Sequence, residues 1–156
     1  MGLTNEERQR IVDVAKTWYG TPYHPHTCLK SVGCDCVQLL KGVILEAGFC
    51  TADGIPIRND YPVYIAKHRK STEYVDGILK YMREILESEV FPGDVVAYKI
   101  GKGFTHAAIV VNWPDLVVHS LERYGVVAGH GLKCRHGHLE KKFFTLKDEF
   151  CTKESK

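Results

Sequence analysis

The chain has 156 residues, 44% hydrophobic and 26% charged, the size of one ordinary globular domain that can bury a core. Its formal net charge of +2 excludes a nucleic-acid protein working through bulk positive charge, so a partner has to be recognised by a site. No run approaches the roughly 18 apolar residues of a membrane span. The polar start "MGLTNEERQR" lacks the apolar stretch of a signal peptide, so the expectation is a soluble protein made in the cytoplasm. Work outside the cell would then need another route, such as a phage particle or lysis.

Thr4 and Glu7 have capping-box spacing, and Ile11, Val14, Ala15 and Trp18 follow at helical intervals, which predicts a first helix running to about Tyr19 and stopping at Gly20. The two prolines of "TPYHPHT" make the next stretch an extended loop. From Asp35 the residues Cys36, Val37, Leu39, Leu40, Val43, Ile44 and Ala47 are apolar almost all round, predicting a buried central helix that ends at Gly48. Residues 49–70 read as a loop. Residues 71–88, with Tyr74, Ile78, Tyr81, Ile85 and Leu86 on one face, read as a further amphipathic helix.

Strands follow. Val95–Ile100, "THAAIVV", "LVVHSL" and "GVVAGHG" are β-branched runs separated by short turns, and "KKFFTL" is expected to close the sheet. Helices before an antiparallel sheet give an α+β fold class, read as one domain over 1–156 with an inserted loop and helix at about 49–90.

The six cysteines are Cys28, Cys34, Cys36, Cys50, Cys134 and Cys151. Without a signal peptide, free thiols, a metal site or catalysis are the readings, and a Cys34–Cys36 bridge is too strained to form. If Asp35 caps the central helix, Cys36 is its first residue, where unsatisfied amides and the positive dipole end favour a thiolate. Such a thiolate is a nucleophile, and the same amides can hold an oxyanion. His106 and His119, on successive strands joined by the "NWPD" turn, supply a base and a residue that orients it. Taken singly, Cys36 can equally be a buried structural thiol, and either histidine a core residue with its hydrogen bonds satisfied.

"GTPYHPHTCLKSVGCDCVQLL", "PGDVVAYKIGKGFTHAAIVV" and "LVVHS" together resemble the signature blocks of the NlpC-type cell-wall cysteine peptidases, over roughly Ile11 to Ser120. The resemblance implies a papain-like domain in which the nucleophile helix packs on a central antiparallel β-sheet. It also implies a peptidoglycan stem peptide as substrate, with the γ-D-glutamyl–diamino acid bond as the default, and no cofactor or metal. The family's nucleophile falls on Cys36, its base on His106, its third polar residue on His119 and its oxyanion-hole tyrosine on Tyr23, which otherwise packs over the turn. Asp35, Gln38 and Thr105, beside these residues, are candidate substrate contacts.

The "GCDC" pair and the long insert resemble the branch found in phage and gene-transfer-agent clusters, so phage tail or gene-transfer-agent components are candidate partners. The family usually has a small residue and then glycine after its cysteine. Here Val37 and Gln38 stand in those places, which implies a changed groove or local packing.

Two alternatives stay open. One is an inactive or weakly active binding module of the same fold, associated with a phage tail. The other is a structural zinc domain built from "HPHTC", "CDC" and "CRHGH". Residues 130–138 are also basic and histidine-rich, either as a solvated face or as a rim for an anionic substrate.

Overall fold

Thr4 caps the first helix in both directions of a capping box: Glu7 N donates to Thr4 Oγ1 at 3.1 Å and Thr4 N donates to Glu7 Oε1 at 2.9 Å. The computed structural model describes residues 2–49 and 80–150. In it α1 spans Asn5–Lys16, and Ile11, Val12 and Ala15 are its buried residues. Trp18 lies beyond the helix end yet is buried, and Gly20 takes the left-handed φ of 88° that turns the chain. Two short strands, β1 (Cys28–Leu29) and β2 (Gly33–Cys34), pair as a small antiparallel hairpin that sequence periodicity does not announce.

Helix α2, Cys36–Glu46, begins where Asp35 caps it, with Gln38 N donating to Asp35 Oδ1 at 2.8 Å. It is buried nearly all round, as its composition implies. The six-stranded antiparallel sheet contains β3 (Met82–Ile85), β4 (Val95–Ile100), β5 (Gly103–Asn112), β6 (Leu116–Leu121), β7 (Gly125–Gly129) and β8 (Lys141–Leu146), in the order β3-β8-β4-β5-β6-β7. Alternation along the strands gives each face a core. Ala97, Ala107, Ile109 and Val118 pack with α2, while Val96, Tyr98, Ala108 and Val117 form the opposite cluster, against which Trp113, Cys134 and Leu139 pack.

Two expectations are corrected. β8 does not end the sheet; it lies between β3 and β4, pairing with both. The helix expected over 71–88 fails at its C-terminal end. Lys80 and Tyr81 are helical, but Met82–Ile85 is a strand registered on β8, and Glu87–Glu89 is a 3-10 turn. The Tyr81–Ile85 spacing suits a helix, yet pairing with a buried strand captures the segment and leaves Arg83 and Glu84 outward. The rest of that stretch, the loop expected from residue 50 on, Cys50 and Cys151 lie outside the described residues.

The sheet is tied to α1 through Asp94 of the "PGD" turn. Arg8 Nη1 at 2.8 Å, Thr145 Oγ1 at 2.6 Å and Phe91 N at 2.9 Å all donate to its buried carboxylate. No helix of the described residues is long and apolar enough to cross a membrane.

Candidate active site

The approach to Cys36 is held by backbone pairing. Cys34 N donates to Pro22 O at 3.0 Å and His24 N to Cys34 O at 3.1 Å, so Tyr23 is fixed beside β2. Ser120 Oγ of β6 donates to Cys34 O at 3.0 Å and anchors this segment to the sheet. Cys36 then starts α2, and its thiol lies against the backbone on either side of His106. It donates to Thr105 O at 3.6 Å, and the Ala107 amide faces the sulfur.

A register shift of β5 against β4 falls here: Tyr98 pairs with His106 and Lys99 with Phe104, so Thr105 is the extra residue of a β-bulge. Bulges bend a strand and re-aim its side chains, and this one stands at the site.

The two strand histidines meet as their places on β5 and β6 imply. His106 Nε2 is 3.1 Å from His119 Nδ1, and the residues are 6% and 1% exposed. Gly129 on β7 makes room behind them, because a Cβ there would sit 2.9 Å from His119 Nε2. With Nε2 of His106 occupied by His119, Nδ1 is the nitrogen left to face a reacting group.

A cleft of about 430 Å³ joins these residues: Tyr23, Cys36, Thr105 and His106 line it together with Ser120. His119 stands behind His106 rather than in the wall. Asp35 and Gln38 do not line the cleft. Asp35 is occupied with the amides of Gln38 and His26, each at 2.8 Å, and Gln38 is buried in α2.

Gln38 is buried in the first turn of α2. The close approach lies one turn later at Gly42, where a Cβ would be 2.4 Å from the Trp18 ring.

The electrostatics depart from the sequence-based expectation. Burial pushes the Cys36 thiol up to about 12, reinforced by the Asp35 carboxylate, and this outweighs the amides of Ala107, Cys36 and Val37, which favour the thiolate. Burial also holds His106 well below its ordinary value, with His136, His119 and Arg135 adding to the effect. His119 is held at about 4, by burial first and then by His136. Tyr23 is raised by burial and by the nearby Cys36 and Asp35, so its phenol remains a donor. The resting site is therefore a neutral thiol beside neutral imidazoles.

The β7–β8 loop, whose basic, histidine-rich segment 130–138 reads from sequence as a solvated face or a substrate rim, also reaches the cleft. Arg135, His136 and Leu139 line the cleft, and the His136 ring stacks on His106 with centroids 4.3 Å apart. The histidine-rich composition of 130–138 was the available signal, but no periodicity says that the loop folds back over β5.

Among the described residues Cys28, Cys34, Cys36 and Cys134 are free thiols. No group of three or more histidine, cysteine or acidic side chains there is placed to hold a metal ion.

No family model matches the sequence, and no curated protein matches it either. Solved structures do match. A Staphylococcus aureus protein of the NLP/P60 family, similar to lipoprotein, is 21% identical, with a TM-score of 0.64 over 95% of this chain and 44% of that one. NlpC1 from Trichomonas vaginalis is 15% identical, with a TM-score of 0.63 over 92% of this chain and 44% of that one. The NlpC/p60 domain of the peptidoglycan hydrolase SagA is 19% identical, with a TM-score of 0.58 over 90% of this chain and 98% of that one. The chain thus spans less than half the length of the first two. With two helices and a six-stranded antiparallel sheet in the described residues, its α+β fold is that of the NlpC/P60 proteins.

Proposed function

We propose that this domain is a cysteine hydrolase that cuts an amide bond in the stem peptides of bacterial peptidoglycan, by default the γ-D-glutamyl–diamino acid bond. One observation carries the reading: Cys36 at a helix start and His106, held from behind by His119 at 3.1 Å, open into one cleft. The likeness to the NlpC/p60 domain of the peptidoglycan hydrolase SagA supports the substrate class.

The chemistry follows from the atoms in place. The Cys36 proton passes to His106 Nδ1, which requires that His106 Nε2 carry a hydrogen and donate it to His119 Nδ1. The sulfur attacks the amide carbon, and the resulting oxyanion is held by the helix-start amides and the Tyr23 hydroxyl. His106 gives its proton to the leaving amine, leaving a thioester. Water, deprotonated by His106, then attacks this thioester to release the acid and restore the thiol. Because burial disfavours both the free thiolate and the imidazolium, proton transfer accompanies attack on the bound carbonyl rather than preceding it.

Purified muropeptides incubated with the protein and separated by mass test this reading. Cleavage within the stem peptide is expected. Intact muropeptides after prolonged incubation would refute it.

The raised thiol favours a second reading, a binding module of the same fold with little activity. It predicts stem-peptide binding without turnover.

A further inference from the structure

Among the described residues, two buried side-chain polar atoms have no hydrogen-bond partner, Thr105 Oγ1 and His136 Nδ1. Buried polar groups are nearly always paired, so each such atom calls for an explanation. Both belong to residues that line the Cys36 cleft. Both residues adjoin His106: Thr105 is the bulged residue next to it in β5, and the His136 ring stacks on its ring from the β7–β8 loop. The mechanism uses neither atom.

The surroundings give the chemistry of the missing partner. Arg135, adjoining His136, lines the same cleft, and among the described residues no carboxylate pairs with it. A hydroxyl, a ring N–H and a guanidinium are three donors with one fixed positive charge, a set that matches a carboxylate. Glu122, the single acid in the cleft wall, comes from the turn after β6 and not from this group. An amine would suit Glu122, whereas at Thr105 and His136 it would meet Arg135.

We propose that Thr105, His136 and Arg135 form a subsite for a substrate carboxylate, the free α-carboxylate that a γ-linked glutamyl residue carries beside its scissile amide. This rests on the hydrolase reading for the identity of the peptide. Thr105 Oγ1 and the Nδ1–H tautomer of His136 donate to the carboxylate, and Arg135 supplies the charge. In the free protein both orphan atoms are closed off from water, so pairing with the ligand displaces no hydrogen bond to solvent. Binding requires the Thr105 hydroxyl and the His136 ring to rotate towards the cleft that their residues line. The subsite would set which peptides are taken, while Cys36 and His106 carry out the chemistry.

The test is equilibrium binding to the full-length Cys36→Ala protein, which cannot turn substrate over. The probes are two synthetic stem peptides that differ only in that α-carboxylate or its carboxamide. The carboxylate peptide should bind at least tenfold more tightly. Arg135→Gln, His136→Phe and Thr105→Val, each added to Cys36→Ala, should bring the ratio towards one. His136→Phe keeps the stack on His106 and Arg135 is exposed, so these two variants are expected to fold.

Equal binding of the two peptides, a preference that survives all three substitutions, or no binding of either would overturn the subsite. Cleavage by the unsubstituted protein is measured separately. A carboxylate preference without cleavage would sink the hydrolase and leave the subsite standing, and cleavage without the preference would do the reverse.

Discussion

His119 holds the far nitrogen of His106, with His119 Nδ1 and His106 Nε2 3.1 Å apart and both side chains buried. In the proposed mechanism this contact selects the tautomer that leaves His106 Nδ1 to the thiol, with His119 as a positioning residue. His119→Ala should lower kcat on muropeptides by on the order of 10²-fold with little change in KM. His119→Gln, whose side-chain oxygen can still accept from Nε2–H, should restore part of that loss. A change confined to KM would contradict the assignment.

The same histidine makes stability pH-dependent. Its folded value of about 4 lies below the ordinary 6.5, so the neutral ring is the form that the fold favours. The contribution is complete above about 6.5 and is lost as pH falls through 4. A depression of this size corresponds to about 3 kcal/mol, and His106, shifted in the same direction, adds to it. Urea unfolding from pH 7.5 to 4 should show the decline, and it should be shallower in His119→Gln.

Alkylation separates a depressed thiol from a buried one. With Cys36 pushed up to about 12, iodoacetamide modification of the Cys36 peptide, followed by mass, should climb with pH beyond 9 and show no plateau near neutrality. A plateau below the ordinary thiol range of roughly 8.5 would mean that the helix start governs the sulfur after all.

Gly42→Ala tests the seating of α2. The added carbon would stand 2.4 Å from the buried Trp18 ring and 3.1 Å from Cys28 Sγ, so the helix or the ring has to move. Overpacking of this kind costs about 1–3 kcal/mol, read as a lower midpoint in urea or heat. An unchanged midpoint would show that Trp18 yields freely.

Much of this architecture is legible in the chain. The capping box at Thr4, the all-round apolar run after Asp35 and the alternating strands from Val95 onward each carry a local signal that the fold keeps. The meeting of His106 and His119 was legible too, because a short turn between antiparallel strands leaves little choice of neighbour.

What was not legible is long-range or depends on depth. Nothing near Met82 says that β8 will claim it as a strand, and nothing near His136 says that it will stack on β5. The place of Cys36 at the helix start follows from the local sequence, but its burial is a property of the whole packed core. That burial overrides the local amides and reverses the expected direction of its titration.

The most direct measurement is cleavage of one purified muropeptide by the protein and by its Cys36→Ala variant, at equal concentration and matched folded content. Transfer of the acyl group to Cys36 predicts stem-peptide products from the first and a loss of at least about 10³-fold in the second. Equal product release from both, or none from either, would contradict it.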